Sequence, residues 1–226
     1  MTLEVHSLGK RLGGREVLDE LDLSCRASDV VVVTGANGSG KTTLLRILGG
    51  MLEPTRGSVV VCGHCLRRDP LAARAHLGYV PDGLETLPEL LVSEFLHLVE
   101  TLKAHAAKPR PVVIDERWRE LLGVNATWGQ RLTSLSFGQR KRVFVLAALT
   151  GQPDLLLLDE PTNGLDVQGV GLMRQLVDER RKAGLITVLS TNDVEFQNQV
   201  GGINYHLPGL VIAGGDHRKA GRREGF

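Results

Sequence analysis

A glycine-rich segment followed by a lysine and two threonines is the clearest chemical feature of the sequence. It has the pattern G-x-x-x-x-G-K-T over residues 35–42, between a β-branched run at 30–33 and an apolar stretch of helical type at 44–48. A strand, a glycine loop and a helix in this order predict a phosphate-binding loop, because glycines let successive backbone N–H groups converge on one anion. The expected phosphate contacts are Gly35, Ala36, Asn37, Gly38, Ser39, Gly40, Lys41, Thr42 and Thr43.

Within this loop, two side chains have separate expected tasks. Lys41 is predicted to reach the β- and γ-phosphates, and the Thr42 hydroxyl is predicted to ligate Mg²⁺. The helix that follows adds the partial positive charge of its N-terminus to the same site.

Two carboxylates follow the apolar run of leucines at residues 155–158. Such a run predicts a buried strand, and ligands of open α/β sheets bind at the carboxyl ends of strands. Asp159 is therefore predicted to hold Mg²⁺, and Glu160 to orient and deprotonate a water in line with the γ-phosphate. An acidic surface turn is the alternative that these two residues alone leave open.

A third signal is a serine followed by a glycine and a glutamine. Ser136 and Gln139 have the spacing of a capping box, in which each side chain bonds the backbone N–H of the other at the start of a helix. Such a helix start, with Gly138 inside its first turn, is also a site where an anion can bind.

Composition limits the classes of function. The 226 residues carry 27 Lys and Arg against 26 Asp and Glu, and aromatics make up 4%, so no nucleic-acid partner is expected. No apolar run approaches the roughly 20 residues of a membrane-spanning helix, and the first residues do not resemble a signal peptide. A cytoplasmic protein without a transmembrane segment of its own is therefore expected.

The lone C-x-x-C from Cys62 to Cys65 indicates a turn after a strand, with a redox pair as the alternative.

The elements that must position these residues suggest one α/β framework. Alternating apolar and polar residues over 2–29 predict antiparallel strands, and the segment 83–152 has the composition of a helical insertion. A helix is predicted from Arg142 to Ala148 within that insertion. The parallel framework resumes at residue 153, and the tail 216–226 is a basic end whose default interpretation is a solvated terminus. A contact of this tail with anionic lipid or a partner is the alternative.

Taken together, the motifs resemble those of the ATP-binding cassette (ABC) ATPases. Residues 135–139 are similar to the family's L-S-G-G-Q signature, with Phe137 in place of the first glycine, and residues 163–166 resemble its D-loop. The resemblance covers roughly residues 2–215 and is strongest to the single-cassette subunits of ABC-2-type exporters. It implies a P-loop NTPase fold with a mostly parallel sheet core, an N-terminal antiparallel β-subdomain and an inserted helical subdomain. The chain would be one domain, 1–226, with its core at 2–82 and 153–215.

The resemblance also implies cofactors and partners. ATP and Mg²⁺ would bind at the loop, and a second ABC ATPase chain would close each site by placing Ser136, Gly138 and Gln139 against its nucleotide. Closing and reopening of this homo- or heterodimer would drive integral membrane permease subunits. The protein would then lie on the cytoplasmic face of the cell membrane and power transport, with export as the expected direction.

Three positions differ from the family's usual pattern. Asn192 stands where a histidine normally contacts the γ-phosphate, and losing one such donor typically costs about 10²–10³ in rate, so slow hydrolysis is predicted. Asp82 replaces a glutamine and can still hold the water shell of Mg²⁺. Leu12 occupies the place of the aromatic that stacks on adenine, with Arg11 as a substitute platform. A slowly hydrolysing nucleotide-gated module and a non-transport ABC ATPase are the alternative functions.

Overall fold

The structure, a computed structural model, describes residues 1–84, 89–106 and 112–208. These residues form nine strands: β1 (Thr2–Leu12), β2 (Arg15–Arg26), β3 (Val30–Thr34), β4 (Arg56–Val61), β5 (His64–Cys65), β6 (Leu77–Val80), β7 (Leu155–Asp159), β8 (Ile186–Ser190) and β9 (Ile203–His206). They also form seven α-helices: α1 (Lys41–Leu48), α2 (Pro70–Ala75), α3 (Val92–Ala106), α4 (Glu116–Leu121), α5 (Phe137–Leu149), α6 (Val167–Lys182) and α7 (Val194–Val200).

One sheet is antiparallel, with the strand order β2-β1-β4-β5. Gly13 and Gly14 connect its first two strands with φ of 54° and 79°, a left-handed turn that glycine adopts without steric cost. Cys62 and Gly63 connect β4 and β5, so the turn predicted for the C-x-x-C segment is confirmed. The three cysteines form no disulfide, which gives the redox alternative no support from the structure.

The second sheet is parallel throughout, with the order β6-β7-β8-β3-β9. Asp159 pairs with Ser190 in the β7–β8 register, and Ser190 pairs in turn with Val33 of β3. The carboxyl ends of the three central strands therefore lie side by side. This edge of the sheet receives the glycine loop, the Asp159-Glu160 pair and Asn192 from three separate parts of the chain.

Alternate residues of the central strands face two different cores. Val30 and Val32 pack with α5, α6 and α7, whereas Val31 and Val33 pack with α1 and the antiparallel sheet. A strand with both faces covered must be apolar at every position, which explains the uninterrupted valine run. Full burial of one such side chain stabilises the fold by about 1.5–3 kcal/mol, so these strands fix the carboxyl edge firmly.

The predicted helix of residues 142–148 is wrong at its start, since α5 begins at Phe137. The cause is the capping box, in which Ser136 Oγ accepts from the Gln139 N–H and Gln139 Oε1 accepts from the Ser136 N–H. That box is confirmed as predicted. Asp115 likewise caps α4, accepting from the Trp118 N–H.

The described part of the segment 83–152 contains α3, α4, α5 and two 3₁₀ turns, Val124–Thr127 and Leu132–Ser134. The assignment of residues 83–152 to a helical subdomain separate from the core remains a prediction. The basic tail, 216–226, lies outside the described residues, as does the end of the predicted core beyond residue 208.

Candidate functional site

The glycine loop connects β3 to α1 at the carboxyl edge of the parallel sheet. Gly35, Gly38 and Gly40 have φ of 148°, 80° and 101°, which lie in the region where other residues are strained. A Cβ on Gly35 would lie 2.5 Å from Ser39 Oγ and 2.8 Å from the Leu207 carbonyl oxygen, so only glycine fits there. The loop is therefore held in a tight curve directly before the first turn of the helix.

The N-terminus of α1 has neither a side-chain cap nor an acidic residue in its first turn. Its orphan N–H groups and the helix dipole together favour an anion at this position. Thr42 and Thr43 lie in this first turn, and both line the cavity in front of it. The arrangement fits the phosphate chain of a nucleotide.

Lys41 is the buried cation of the site, with a relative exposure of 7%. Its Nζ donates to the Gly35 carbonyl oxygen at 2.9 Å and to Asn192 Oδ1 at 3.0 Å, and it lies 4.0 Å from Glu160 Oε1. Two of these acceptors are neutral, so most of the ammonium charge is not compensated by direct contact. A phosphate oxygen is the natural acceptor for such a group.

Asn192 connects the lysine to the second carboxylate. Its Nδ2 donates to Glu160 Oε1 at 2.9 Å and to Asn37 Oδ1 at 3.0 Å, and its backbone N–H donates to Glu160 Oε2 at 3.2 Å. With Oδ1 bonded to Lys41, the amide uses both of its donors and its acceptor inside the site. The asparagine therefore holds the lysine, the glutamate and the loop in one hydrogen-bonded network.

Glu160 occupies a strained and partly desolvated position at the end of β7. Its φ of 45° is in the left-handed region, which costs a non-glycine residue of the order of 1–3 kcal/mol and often marks a functional site. Burial raises the pKa of its carboxyl, while the Asn192 N–H and the Lys41 charge oppose that shift. A raised pKa makes the carboxylate a stronger proton acceptor, which suits a general base.

Asp159 lies behind the glutamate and is fully buried. Its Oδ1 accepts from Ser190 Oγ at 2.6 Å, whereas Oδ2 has no hydrogen-bond partner in the described part of the chain. A buried carboxylate oxygen without a partner costs free energy, so it indicates a ligand for a cation. Together with the Thr42 hydroxyl and the Asp82 carboxylate, which accepts from Asn163 Nδ2 at 3.0 Å, it supplies the oxygen donors that Mg²⁺ prefers.

An open cavity of about 580 Å³ lies over these groups. The structure brings most of the predicted site residues to its wall: Leu12, Asn37, Gly38, Gly40, Lys41, Thr42, Thr43, Asp82, Glu160 and Asn192. Other predicted residues do not line it: Arg11, Gly35, Ala36, Ser39, Ser136, Gly138, Gln139 and Asp159. Leu12 is 42% exposed and shares the wall with Val17, so this end of the cavity offers an aliphatic surface.

The segment around Ser136 does not reach this cavity. Gly138 packs against the segment 163–166, since a Cβ on it would lie 2.8 Å from the Gly164 carbonyl oxygen. Asp166 caps α6 through the Gly169 N–H and also accepts from the Arg142 guanidinium, both at 2.8 Å. The start of α5 therefore packs against the segment 163–166, whose first residue, Asn163, also lines the cavity, whereas Ser136, Gly138 and Gln139 do not.

Four residues belong to the site although the sequence motifs did not predict them as site residues. Val17, Asn163 and Asp193 line the cavity, and Ser190 positions Asp159 through its hydroxyl. Strand order decides the Ser190 contact, because β7 and β8 are neighbours in the sheet although residues 160–185 separate them in the chain. No local spacing in the sequence carries that contact, whereas Asn163 belongs to the D-loop-like segment 163–166 that closely follows Glu160.

Comparison with known proteins agrees with the geometry. Residues 18–163 match the family model described as ABC transporter. The zinc import ATP-binding protein ZnuC of Roseobacter denitrificans is 36% identical over 196 residues, covering 85% of this chain and 69% of the relative. The cytochrome c biogenesis ATP-binding export protein CcmA of Cupriavidus pinatubonensis is 36% identical over 193 residues, covering 84% of this chain and 83% of the relative.

Two solved structures share the fold. The ATP-binding subunit of an ABC transporter has a TM-score of 0.82 at 23% identity, covering 92% of this chain and 86% of that one. A bacterial ABC transporter cassette, solved as a dimer, has a TM-score of 0.76 at 24% identity, covering 91% and 94%. These likenesses confirm the predicted P-loop NTPase fold. Among the described residues, none of the helices combines the length and apolar character that crossing a bilayer requires.

Proposed function

Because the chain belongs to the ABC transporter family of ATP-binding proteins, we propose that it binds and hydrolyses ATP to power a membrane exporter of the ABC-2 type. The observation that carries the hydrolytic part is the network joining Lys41, Asn192 and Glu160 at the carboxyl edge of the sheet. In this network the Asn192 amide bonds through its oxygen to the Lys41 ammonium, which would bind phosphate, and through its nitrogen to the Glu160 carboxylate, which would act as the base for water.

The residues of the loop have distinct roles in this proposal. The loop amides from Gly35 to Thr43 and the Lys41 ammonium bind the β- and γ-phosphates. Glu160 accepts a proton from the attacking water, and Asn192 orients that carboxylate. Asn192 donates to the γ-phosphate by exchanging its bond to Asn37 for one to a phosphate oxygen. Leu12 and Arg11 lie on the adenine side, where the aliphatic surface gives less selectivity than an aromatic ring.

The metal would be held by Thr42, Asp82 and Asp159. When bound, Mg²⁺ neutralises negative charge on the β- and γ-phosphates. The unpaired Asp159 Oδ2 and the all-oxygen donor set support this assignment. Ser190 Oγ donates to Asp159 Oδ1, so Oδ2 is the oxygen of that carboxylate that would remain to bind the cation.

The proposal includes a second cassette chain. Ser136, Gly138 and Gln139 are outside the cavity of their own chain, so they would contact nucleotide held by the partner's loop. The dimeric form of the related bacterial cassette supports such an assembly. Closing and reopening of this dimer would act on integral membrane permease subunits at the cytoplasmic face of the cell membrane.

Purification of the tagged chain from its own membranes, followed by reconstitution with the co-purifying integral membrane protein, tests the function. Export predicts that vesicles lose substrate from the compartment that holds the cassette, that ATP is required, and that the Glu160→Gln variant of the chain abolishes the effect. Accumulation of substrate on the side of the membrane that holds the cassette would contradict export. The direction needs this test because a relative named for zinc import and a relative named for export are both 36% identical to the chain. If no integral membrane protein co-purifies with the chain, the transport role is contradicted.

A nucleotide-gated switch is a second candidate, and Asn192 favours it. An asparagine cannot carry the charge that a histidine can place beside the γ-phosphate, so ATP would be held longer before cleavage. The comparison of wild-type protein with Glu160→Gln separates the two functions. If the wild-type chain also traps ATP in a stable dimer, the switch is supported; if it releases phosphate steadily, the transport ATPase is supported.

A further inference from the structure

A second cluster of reactive side chains lies at the edge of the parallel sheet opposite to the nucleotide site. It consists of Cys62 after β4, His76 directly before β6, and Asp154 directly before β7. One ligand atom from each of the three lies within 4.8 Å of the others. Asp154 and Asp159 are separated by the length of β7, roughly 16 Å at 3.3 Å per residue, so the two sites share no side chain.

The three side chains of the cluster are partly or fully buried, and two of them are in direct contact. The Asp154 side chain is only 3% exposed and the His76 side chain 30%, and Cys62 is half-buried. His76 Nδ1 and Asp154 Oδ2 are 2.5 Å apart, and the Leu155 N–H donates to the His76 carbonyl oxygen at 3.0 Å. The backbone therefore holds the histidine and the aspartate at fixed positions on neighbouring strands.

The backbone of Cys62 fixes the position of its thiol. It has φ of 49° at the first position of a two-residue turn, where glycine and asparagine are the favoured residues. A cysteine in this conformation is strained, and the turn that holds it fixes the position of its side chain. The turn brings the thiol to the histidine and the carboxylate.

We propose that Cys62, His76 and Asp154 form a binding site for a divalent transition metal of the Zn²⁺ type. A thiolate, an imidazole and a carboxylate are the three ligand classes that Zn²⁺ takes in proteins. Hard cations such as Mg²⁺ prefer oxygen donors alone, so this site and the nucleotide site select different metals. Water would complete the tetrahedron, because in the described part of the chain the group of converging ligand atoms contains Cys62, His76 and Asp154 but not Cys65.

Binding would replace protons by the metal. The proton between His76 Nδ1 and Asp154 Oδ2 and the proton of the Cys62 thiol would pass to solvent, leaving the ligands deprotonated as metal binding requires. Tetrahedral ligands at 2.0–2.3 Å from the metal stand about 3.4 Å apart, so the three side chains need to move by roughly 1 Å. The metal would tie the β4–β5 hairpin to the start of β6 and β7.

Neighbouring charged groups limit the affinity. Arg180 Nη2 lies 3.4 Å from the Asp154 carbonyl oxygen, and its positive charge opposes a cation. His64 stacks on His76 with ring centroids 5.7 Å apart, and its Nδ1 lies 3.1 Å from Asp69 Oδ2. We therefore expect weaker binding than at a site with four thiolates.

Cobalt titration of the full chain, stripped of metal and free of nucleotide, tests the site. The wild-type protein is expected to show the absorption of a cobalt–thiolate bond, and Zn²⁺ is expected to displace that signal and raise the melting temperature. Cys62→Asn is the decisive variant because asparagine suits the left-handed turn, so the metal-free variant keeps or gains stability. Its metal affinity should fall by about 100-fold or more, above the range for loss of an outer-shell partner.

Cys65→Ser is the matched control, since it removes the other cysteine of the same hairpin and should retain the cobalt–thiolate signal. ATP binding should be unchanged in both variants. The proposal is overturned if the wild-type chain gives no thiolate signal, or if Cys62→Asn binds cobalt as tightly as the wild type. Loss of the signal in both variants would also overturn it, because the C-x-x-C pair would then be the ligand set.

Discussion

Replacing Asn192 by histidine should raise the rate of ATP hydrolysis. The asparagine now divides its two donors between Glu160 and Asn37, and its oxygen is bonded to Lys41. To donate to a γ-phosphate it must give up one of these bonds. Histidine offers a longer donor that can carry a charge, and the Glu160 carboxylate keeps its bond from the backbone N–H of residue 192.

The size of the increase follows from the bond that asparagine must give up before it can donate to the phosphate. The bond from Asn192 Nδ2 to Asn37 Oδ1 joins two neutral groups, and such a bond contributes about 0.5–1.5 kcal/mol. At 1.36 kcal/mol for each tenfold change in rate, kcat should rise roughly 2- to 13-fold. The rise stays below the 10²–10³ range for complete loss of a donor because asparagine still supplies one.

Phosphate release at saturating Mg²⁺ and ATP measures kcat, and equilibrium dialysis measures the affinity for ATP separately. Asn192→Ala is the matched control: it removes the amide from Glu160 and Lys41 without offering a new donor, so its turnover should fall below that of the wild type. If Asn192→His has the same or lower turnover while ATP affinity is unchanged, the assigned role of residue 192 is refuted.

Three further predictions follow from the structure. Burial raises the pKa of the Glu160 carboxyl, so kcat should fall as the pH drops through a range above the usual value of about 4.3; activity that stays flat down to that value would disagree. With Leu12 on the adenine side, kcat/KM for ATP and GTP should be similar, and a strong preference for ATP would disagree. Lys141→Met should lower stability by about 1–3 kcal/mol in urea unfolding, since Nζ contacts the Pro81 and Asp159 carbonyl oxygens at 3.3 Å; an unchanged midpoint would disagree.

Local chemistry in the sequence predicted a large part of the site. The glycine loop before Lys41, the capping box of Ser136 and Gln139, and the carboxylates after the leucine run each depend on neighbours in the chain. Their spacing is therefore visible without a structure. The α/β architecture followed from the same information, because buried parallel strands need unbroken apolar runs.

Contacts set by strand order could not be predicted in this way. Ser190 meets Asp159 because β7 and β8 are neighbours in the parallel sheet, and Asn192 lies between Lys41 and Glu160 for the same reason. Local spacing in the C-x-x-C segment indicates only a turn or a redox pair. The structure instead places Cys62 beside residues that begin two other strands, a pairing that only tertiary structure reveals.

The mass of the Glu160→Gln variant with and without ATP tests the central claim most directly, because each nucleotide site is proposed to need the loop of one chain and Ser136 of another. Light scattering should show a dimer with ATP and a monomer without it. Adding Ser136→Arg should abolish the dimer while each chain still binds ATP through its own loop. A variant that stays monomeric with ATP bound, or a dimer that survives Ser136→Arg, would contradict the account.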